Sequence, residues 1–231
     1  MNCMKNFILV LFLFCSFFAV GFAQTSQPPV KPAKPKLAQT PIVEEISDAQ
    51  WKNLIEALQA EDWKTAASLA AQYLEKLKAD NDKKQLAQLR YFYLYALAGK
   101  ILAAYDSKIP VEKTSIWREM ESAVSSFSGK EFVLPPRRFL NECREVLNYI
   151  CAVKNNERAL RVTATNQEGT SIHSFEYVLF DEKIALDRLG GNESFLGGHL
   201  KSVEFNQDMA KPWVMRLIFD KGFVRVVANG K

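Results

Sequence analysis

The stretch at residues 83–105 constrains this chain more than any other, and its centre reads Leu89-Arg90-Tyr91-Phe92-Tyr93-Leu94-Tyr95-Ala96-Leu97-Ala98. Nine of those ten residues are apolar or aromatic, so a helix built from them has no polar face. A surface helix shows one apolar stripe, whereas a helix that is apolar all round is buried on several sides. Lys83, Lys84 and Lys100 flank the run, and a membrane span needs roughly 20 uninterrupted apolar residues. The stretch therefore predicts a central helix, wrapped by the helices before and after it.

Residues 1–23 have a different character. A short n-region ends at Lys5, an apolar run follows over 7–22, and Gly21 and Ala23 stand at the minus-three and minus-one positions. This is a signal-peptide pattern with cleavage before Gln24. An uncleaved anchor is the competing reading, because about 17 apolar residues is the lower limit for a span. Residues 24–46 then bring Pro28, Pro29, Pro32, Pro35 and Pro41, with Lys31, Lys34 and Lys36 interleaved. Proline removes the amide donor and holds the backbone extended, so this segment predicts a disordered, semi-rigid linker with no core. The expected location is outside the cytoplasm, either periplasmic or secreted, with a bacterial envelope as the setting.

The remaining chain divides by residue usage into a helical part at 47–127 and an α+β part at 128–231. Ser47 followed three residues later by Gln50 reads as a capping box. The helix it starts carries Trp51, Leu54, Ile55 and Leu58 on one face. Glu61-Asp62 breaks it, and a second helix from Trp63 continues the period through Ala66, Ala67, Leu69, Ala70, Tyr73, Leu74 and Leu77. Asn81-Asp82 makes the next turn, and a fourth helix over 111–127 follows Pro110.

Trp51, Leu54, Ile55, Leu58, then Asp62-Trp63 and Ala66, then Leu74, resemble one tetratricopeptide repeat, with Tyr91 and Leu94 opening a second unit 40 residues after Trp51. The resemblance covers 47–127. It implies antiparallel helix pairs that pack closely through small residues, and stacked pairs that expose a groove for peptides. Tyr73 stands where the family has a small residue, and 40 exceeds the usual period of about 34. An unrelated bundle of four helices is the alternative. Two pairs fall short of the roughly three that a solenoid needs, so the helices are expected to lean on the C-terminal part for burial.

Past Ser128-Gly129 the pattern turns towards strands. A short strand at 130–134 ends at Pro135-Pro136. Phe139, Leu140, Cys143, Val146, Leu147, Ile150 and Cys151 then keep a helical period over three turns, which predicts one long helix. Candidate strands follow at 159–165, 171–180, 200–205, 213–219 and 223–228, the last two joined as a hairpin through Asp220-Lys221-Gly222. The expected fold class is α+β: tetratricopeptide-like hairpins, then a small antiparallel sheet with one long helix packed on it.

Chemistry is sparse. Four cysteines are present, two of them (Cys3 and Cys15) in the leader. On the expected helix Cys143 and Cys151 stand about 12 Å apart at 1.5 Å per residue, beyond the roughly 7 Å a disulfide spans. Two free buried thiols are therefore expected. His173 and His199 are the only histidines. Alternation with Phe175, Tyr177 and Leu179 makes His173 a half-buried strand residue. A zinc site from both histidines with Glu176 or Glu204 is weighed and set aside, since no pair has metal-ligand spacing. No serine stands in a nucleophile elbow. Gly190-Gly191 and Gly197-Gly198 read as loop glycines, because no lysine-bearing strand-to-helix turn surrounds them. Neither a catalytic set, nor a metal, nor a cofactor is expected. Arg137 and Arg138 fall in the first turn of the expected helix, where free amides and two cations suit an anion or a partner carboxylate.

These features point to an exported protein–protein interaction or scaffold module whose partner is another protein or peptide. Two alternatives stay open: an envelope hydrolase using His173 or His199, and a polyanion-binding small barrel. A net charge of +4 over 231 residues is too small to argue for nucleic acid, which is not expected as a partner.

Overall fold

A computed structural model describes residues 45–77, 83–106, 110–140, 148–206 and 213–227, all within one compact unit, Ile42–Lys231. The leader, residues 24–44, Cys143 and the expected turn at 81–82 lie outside the described residues. Four helices come first: α1 (Asp48–Gln59), α2 (Trp63–Lys76), α3 (Lys83–Asp106) and α4 (Pro110–Phe127). Seven strands follow: β1 (Glu131–Val133), β2 (Arg137–Leu140), β3 (Ile150–Val153), β4 (Asn156–Thr165), β5 (Ile172–Leu179), β6 (Glu193–Phe205) and β7 (Trp213–Val226).

The helix starts follow from their caps. The Ser47 hydroxyl accepts from the Gln50 amide, and the Gln50 side chain accepts from the Ser47 amide, closing the capping box. Asp62 caps α2 by accepting from the Thr65 amide at 3.1 Å. Glu61 makes the break between them, with φ at 56°. Each helix packs on the next, and α3 also packs on β1, β5 and β7. Leu89, Tyr91, Leu94, Ala96, Leu97, Ala98 and Ile101 of α3 are all buried, as its all-round apolar sequence requires. Hydrogen bonds fix its sides: Arg90 Nη1 donates to the Glu131 carbonyl at 2.8 Å, and Lys100 pairs with Glu119 of α4 at 2.7 Å.

The sheet is mixed, not antiparallel throughout, because β2–β3 and β5–β7 are parallel pairs. Its order is β1-β6-β2-β3-β4-β5-β7, and β7 pairs again with β6. The pairings thus close into a ring, β6-β2-β3-β4-β5-β7 and back to β6, which removes the open edges of a flat sheet. Apolar residues of the helices and of the ring form one continuous core, from Leu54 and Leu97 to Leu160, Leu217 and Phe219.

Four expectations are corrected here. The long helix is absent at both described ends of its range: Arg137–Leu140 and Ile150–Val153 are strands. Its period was real, but Phe139 pairs with Ile150 and Leu140 with Cys151 across a parallel ladder. Cys151 therefore sits in β3 and is disulfide-bonded, so it is not the free thiol that helical spacing implied. The hairpin at 220–222 is likewise absent, because β7 runs through it as one strand. A Cβ on Gly222 would lie 2.6 Å from Val178 Cγ1, so this glycine marks close approach of β5 and β7, not a turn. Gly197 and Gly198 also lie within a strand, β6. A Cβ on either would crowd the neighbouring strands: 2.5 Å from the Phe132 carbonyl for Gly197 and 2.6 Å from the Asp220 carbonyl for Gly198.

Candidate functional site

Gln88, Tyr91, Phe92 and Tyr95 recur at i, i+3, i+4 and i+7, so α3 presents them along one face. Trp51 and Ile55 of α1 extend that face, and all six line a cleft of about 1030 Å³. The rings form a continuous array: Trp51 meets Phe92 edge-on at 6.0 Å, Phe92 meets Tyr91 at 6.0 Å, and Tyr91 stacks on Tyr95 at 6.1 Å. The opposite wall comes from the ring of strands, with Pro135 to Arg138, Tyr149, Phe195 and the turn at 165–167. Two consecutive prolines hold the chain extended as it enters β2. The floor is tied to the helices, because Tyr95 donates to the Thr165 carbonyl at 2.8 Å and Glu61 accepts from the Gln167 amide at 2.7 Å.

Both arginines expected at a helix N-terminus line this cleft, but from a strand. Strand alternation separates them. Arg138 pairs with Glu193, and both are exposed. Arg137 pairs with Ser194 and is half-buried. Its Nη1 donates to the Pro136 carbonyl at 3.1 Å, while its Nε is buried without a partner among the described residues.

Beneath the cleft lies a buried carboxyl, that of Glu176 in β5. Tyr91 donates to its Oε1 at 3.1 Å, and the Ser174 hydroxyl donates to the same oxygen. Its Oε2 has no partner among the described residues. Burial pushes this carboxyl up to about 7, with the Ser174 and Tyr91 hydrogen bonds and the Arg137 charge acting the other way. Burial also raises the Tyr95 phenol to about 12.

His173 is buried, as a bulge dictates. Ala164 pairs with Ser174 and Thr165 with Ile172, so His173 is the extra residue and turns inward beside Ser174. Its ring packs 4.7 Å from Trp63 and 4.6 Å from Tyr95. Both nitrogens lack partners among the described residues, and burial lowers its pKa to about 4. His173 is thus fully buried and not half-buried, because the bulge takes it out of alternation with Phe175, Tyr177 and Leu179. Ser174, Glu176 and Val178 are buried, while Phe175, Tyr177 and Leu179 stay half-exposed, since a narrow ring interior takes the smaller side chains. His199 in β6 borders a separate cavity of about 280 Å³ with Arg90, Lys130 and Glu131. The two histidines do not meet, and no group of three His, Cys, Asp or Glu able to hold a metal gathers among the described residues.

Sequence reasoning passed over Ser194 and gave Glu176 only the role of a possible zinc ligand. The available signal was a lone carboxylate inside an apolar strand, with hydroxyls on the same side. No helix among the described residues is long and apolar enough to cross a membrane. No protein-family model matches this chain, and no curated protein or solved structure is significantly similar to it.

Proposed function

We propose that this protein is an exported interaction module that receives an extended segment of another protein in the cleft between α1, α3 and the strand ring. The observation that carries this reading is the aromatic array of Trp51, Phe92, Tyr91 and Tyr95 along a cleft of about 1030 Å³. Trp51, Phe92 and Tyr95 are half-exposed beside the exposed Arg138. Aromatic rings with arginine are the composition of protein-binding hot spots, and extended peptides dock in aromatic-lined grooves. Packing of α1 on α2 and of α3 on α4 supports reading them as two tetratricopeptide-like hairpins. The hydrolase alternative needs a histidine that meets substrate, and neither His173 nor His199 borders this cleft.

A photo-crosslinking residue at position 92, in the exporting cell, tests the reading. One discrete adduct is expected, lost on Trp51→Ala and absent with the probe at exposed Lys201. Equal adducts from both positions, or none from position 92, would overturn it. Export is tested separately by the mass of the isolated protein, which should begin at Gln24; an intact Met1 in the membrane fraction would favour the anchor.

The small-barrel alternative is favoured by one observation on the outer face of β5 and β7. There the Arg216 guanidinium lies 5.2 Å from the Trp213 ring and 6.0 Å from Tyr177 and pairs with Glu204 at 2.6 Å, so a polyanion would have to displace that carboxylate. Affinity for such a ligand would fall linearly with salt on logarithmic axes.

A further inference from the structure

Three polar atoms are buried and lack hydrogen-bond partners among the described residues: Arg137 Nε, Ser194 Oγ and Glu176 Oε2. Arg137 lines the cleft, and Glu176 lies behind it, joined to its wall by the hydrogen bond from Tyr91. Ser194 and Glu176 are fully buried. Arg137 and Ser194 are register partners across β2 and β6, so their side chains leave the sheet on the same side. The Arg137 charge acts on Glu176 and on Tyr91, so the guanidinium is within electrostatic range of both. Buried groups left unpaired cost about 1–3 kcal/mol each, so a ligand that satisfies them gains affinity there.

The donor set names that ligand. A guanidinium N–H and a hydroxyl both donate, and a planar carboxylate accepts from such a pair. Glu176 is compatible only in its protonated form, because two carboxylates at one site share a proton. A protonated Oε2 would donate to the incoming group, and all three atoms would then be paired. Amide side chains interrupt the aromatic walls, among them Gln59, Gln88 and Asn166. Amides match a peptide main chain and leave a hydrocarbon tail unmatched.

Building on the cleft as a peptide site, we propose that it recognises the free C-terminal carboxylate of an extended peptide through Arg137 and Ser194, and that Glu176 takes up a proton as the peptide binds. The groups acting on Glu176 are Ser174 on its own strand, Tyr91 from α3 and Arg137 from β2, and its charge in turn acts on Tyr95 of α3. Its cross-strand neighbours Val162 and Leu217 are apolar. Glu61, from the α1–α2 turn, acts on Tyr95. The bound state holds the extra proton, so affinity is flat below the range in which free Glu176 ionises. Above it, affinity falls towards a limit of about tenfold per pH unit.

A pool of N-acetylated random hexapeptides, prepared as free acids and as carboxamides, provides the probe, with calorimetry from pH 5.5 to 8.5 as the readout. The free-acid pool should bind at least tenfold more tightly than the carboxamide pool, with Kd rising above pH 7. Glu176→Gln should keep free-acid binding and abolish the pH dependence; Arg137→Gln should abolish the preference at every pH while the thermal transition persists. If both pools bind equally, the cleft takes peptides but the carboxylate site is wrong. If neither binds, or if decanoate alone binds, peptide recognition in the cleft fails with it. A pH dependence unchanged in Glu176→Gln would overturn the proton coupling.

Discussion

Burying the carboxyl of Glu176 ties the stability of the fold to pH, independently of any ligand. The rise from 4.5 to about 7 corresponds to about 3 kcal/mol, at about 1.4 kcal/mol per unit. Because the folded-state pKa lies above the unfolded one, the folded chain holds the proton more tightly. The contribution is complete below about pH 4.5 and is lost as pH rises through 7. Glu176→Gln keeps an acceptor for Tyr91 and for Ser174 and removes the ionisation. The variant should therefore gain about 1–3 kcal/mol on the native chain between pH 5 and pH 8. Urea unfolding of both proteins at the two pH values measures this difference. A native-minus-variant stability that does not change with pH would mean that the carboxyl meets water. Residue-scale legibility failed at this position because strand alternation names two faces without saying which one is inside. The aromatic face of β5 is the heavier one, yet the ring interior takes Ser174, Glu176 and Val178.

Elements were most legible where local rules act alone. Ser47 and Asp62 cap α1 and α2 as their side chains dictate, and α3 buries Leu89, Tyr91, Leu94, Leu97 and Ile101 because its apolar residues leave no polar face to expose. Its close packing on α2 rests on Gly99, where an added Cβ would overlap the Trp63 indole. Alanine gains about 1 kcal/mol over glycine in helix propensity, but inserting a methyl into a filled contact costs typically 1–3 kcal/mol or more. Gly99→Ala should therefore destabilise the protein, and Trp63→Leu in the same chain should make the second substitution less costly, a coupling that thermal melts of the four proteins quantify. Simple additivity would show that α2 and α3 are not in contact there. Legibility ended at 139–151, where one pattern served two structures. The apolar pairs Phe139-Leu140 and Ile150-Cys151 stand eleven residues apart, three turns of a helix, and are also the matched rungs of β2 and β3. Periodicity alone does not separate the two, since short apolar runs read equally as turns of a buried helix or as buried strands. The cleft inherits that ambiguity, because Arg137 leaves a strand at its inner wall and not a helix end.

Closure of the strand ring depends on pairings far apart in sequence: β1 and β2 share one edge of β6, while β7 joins β5 to the other. Hydropathy carries no signal for such pairings, which is why the expectation was a small antiparallel sheet, with a barrel only as an alternative. The ring and the helices also share a core, with α3 packed against β1, β5 and β7. Tyr91 and Tyr95 reach Glu176 and the Thr165 carbonyl across that seam. The helical segment alone would expose Leu89, Tyr91, Leu94 and neighbouring apolar surface to water, at roughly 25 cal/mol per Å², against a net domain stability of about 5–15 kcal/mol. Residues 47–127 expressed by themselves should therefore lack a cooperative thermal transition, despite strong local caps. In the whole chain, helix content by circular dichroism and the fluorescence of Trp213, retained as the sole tryptophan with phenylalanine at the other three positions, should unfold at one urea midpoint. Trp213 sits in β7 against Phe175 at 6.1 Å, so its signal reports the ring and not the helices. A ring transition separated from the helix transition, or a cooperative melt of the isolated helices, would show two cores where the packing of α3 requires one.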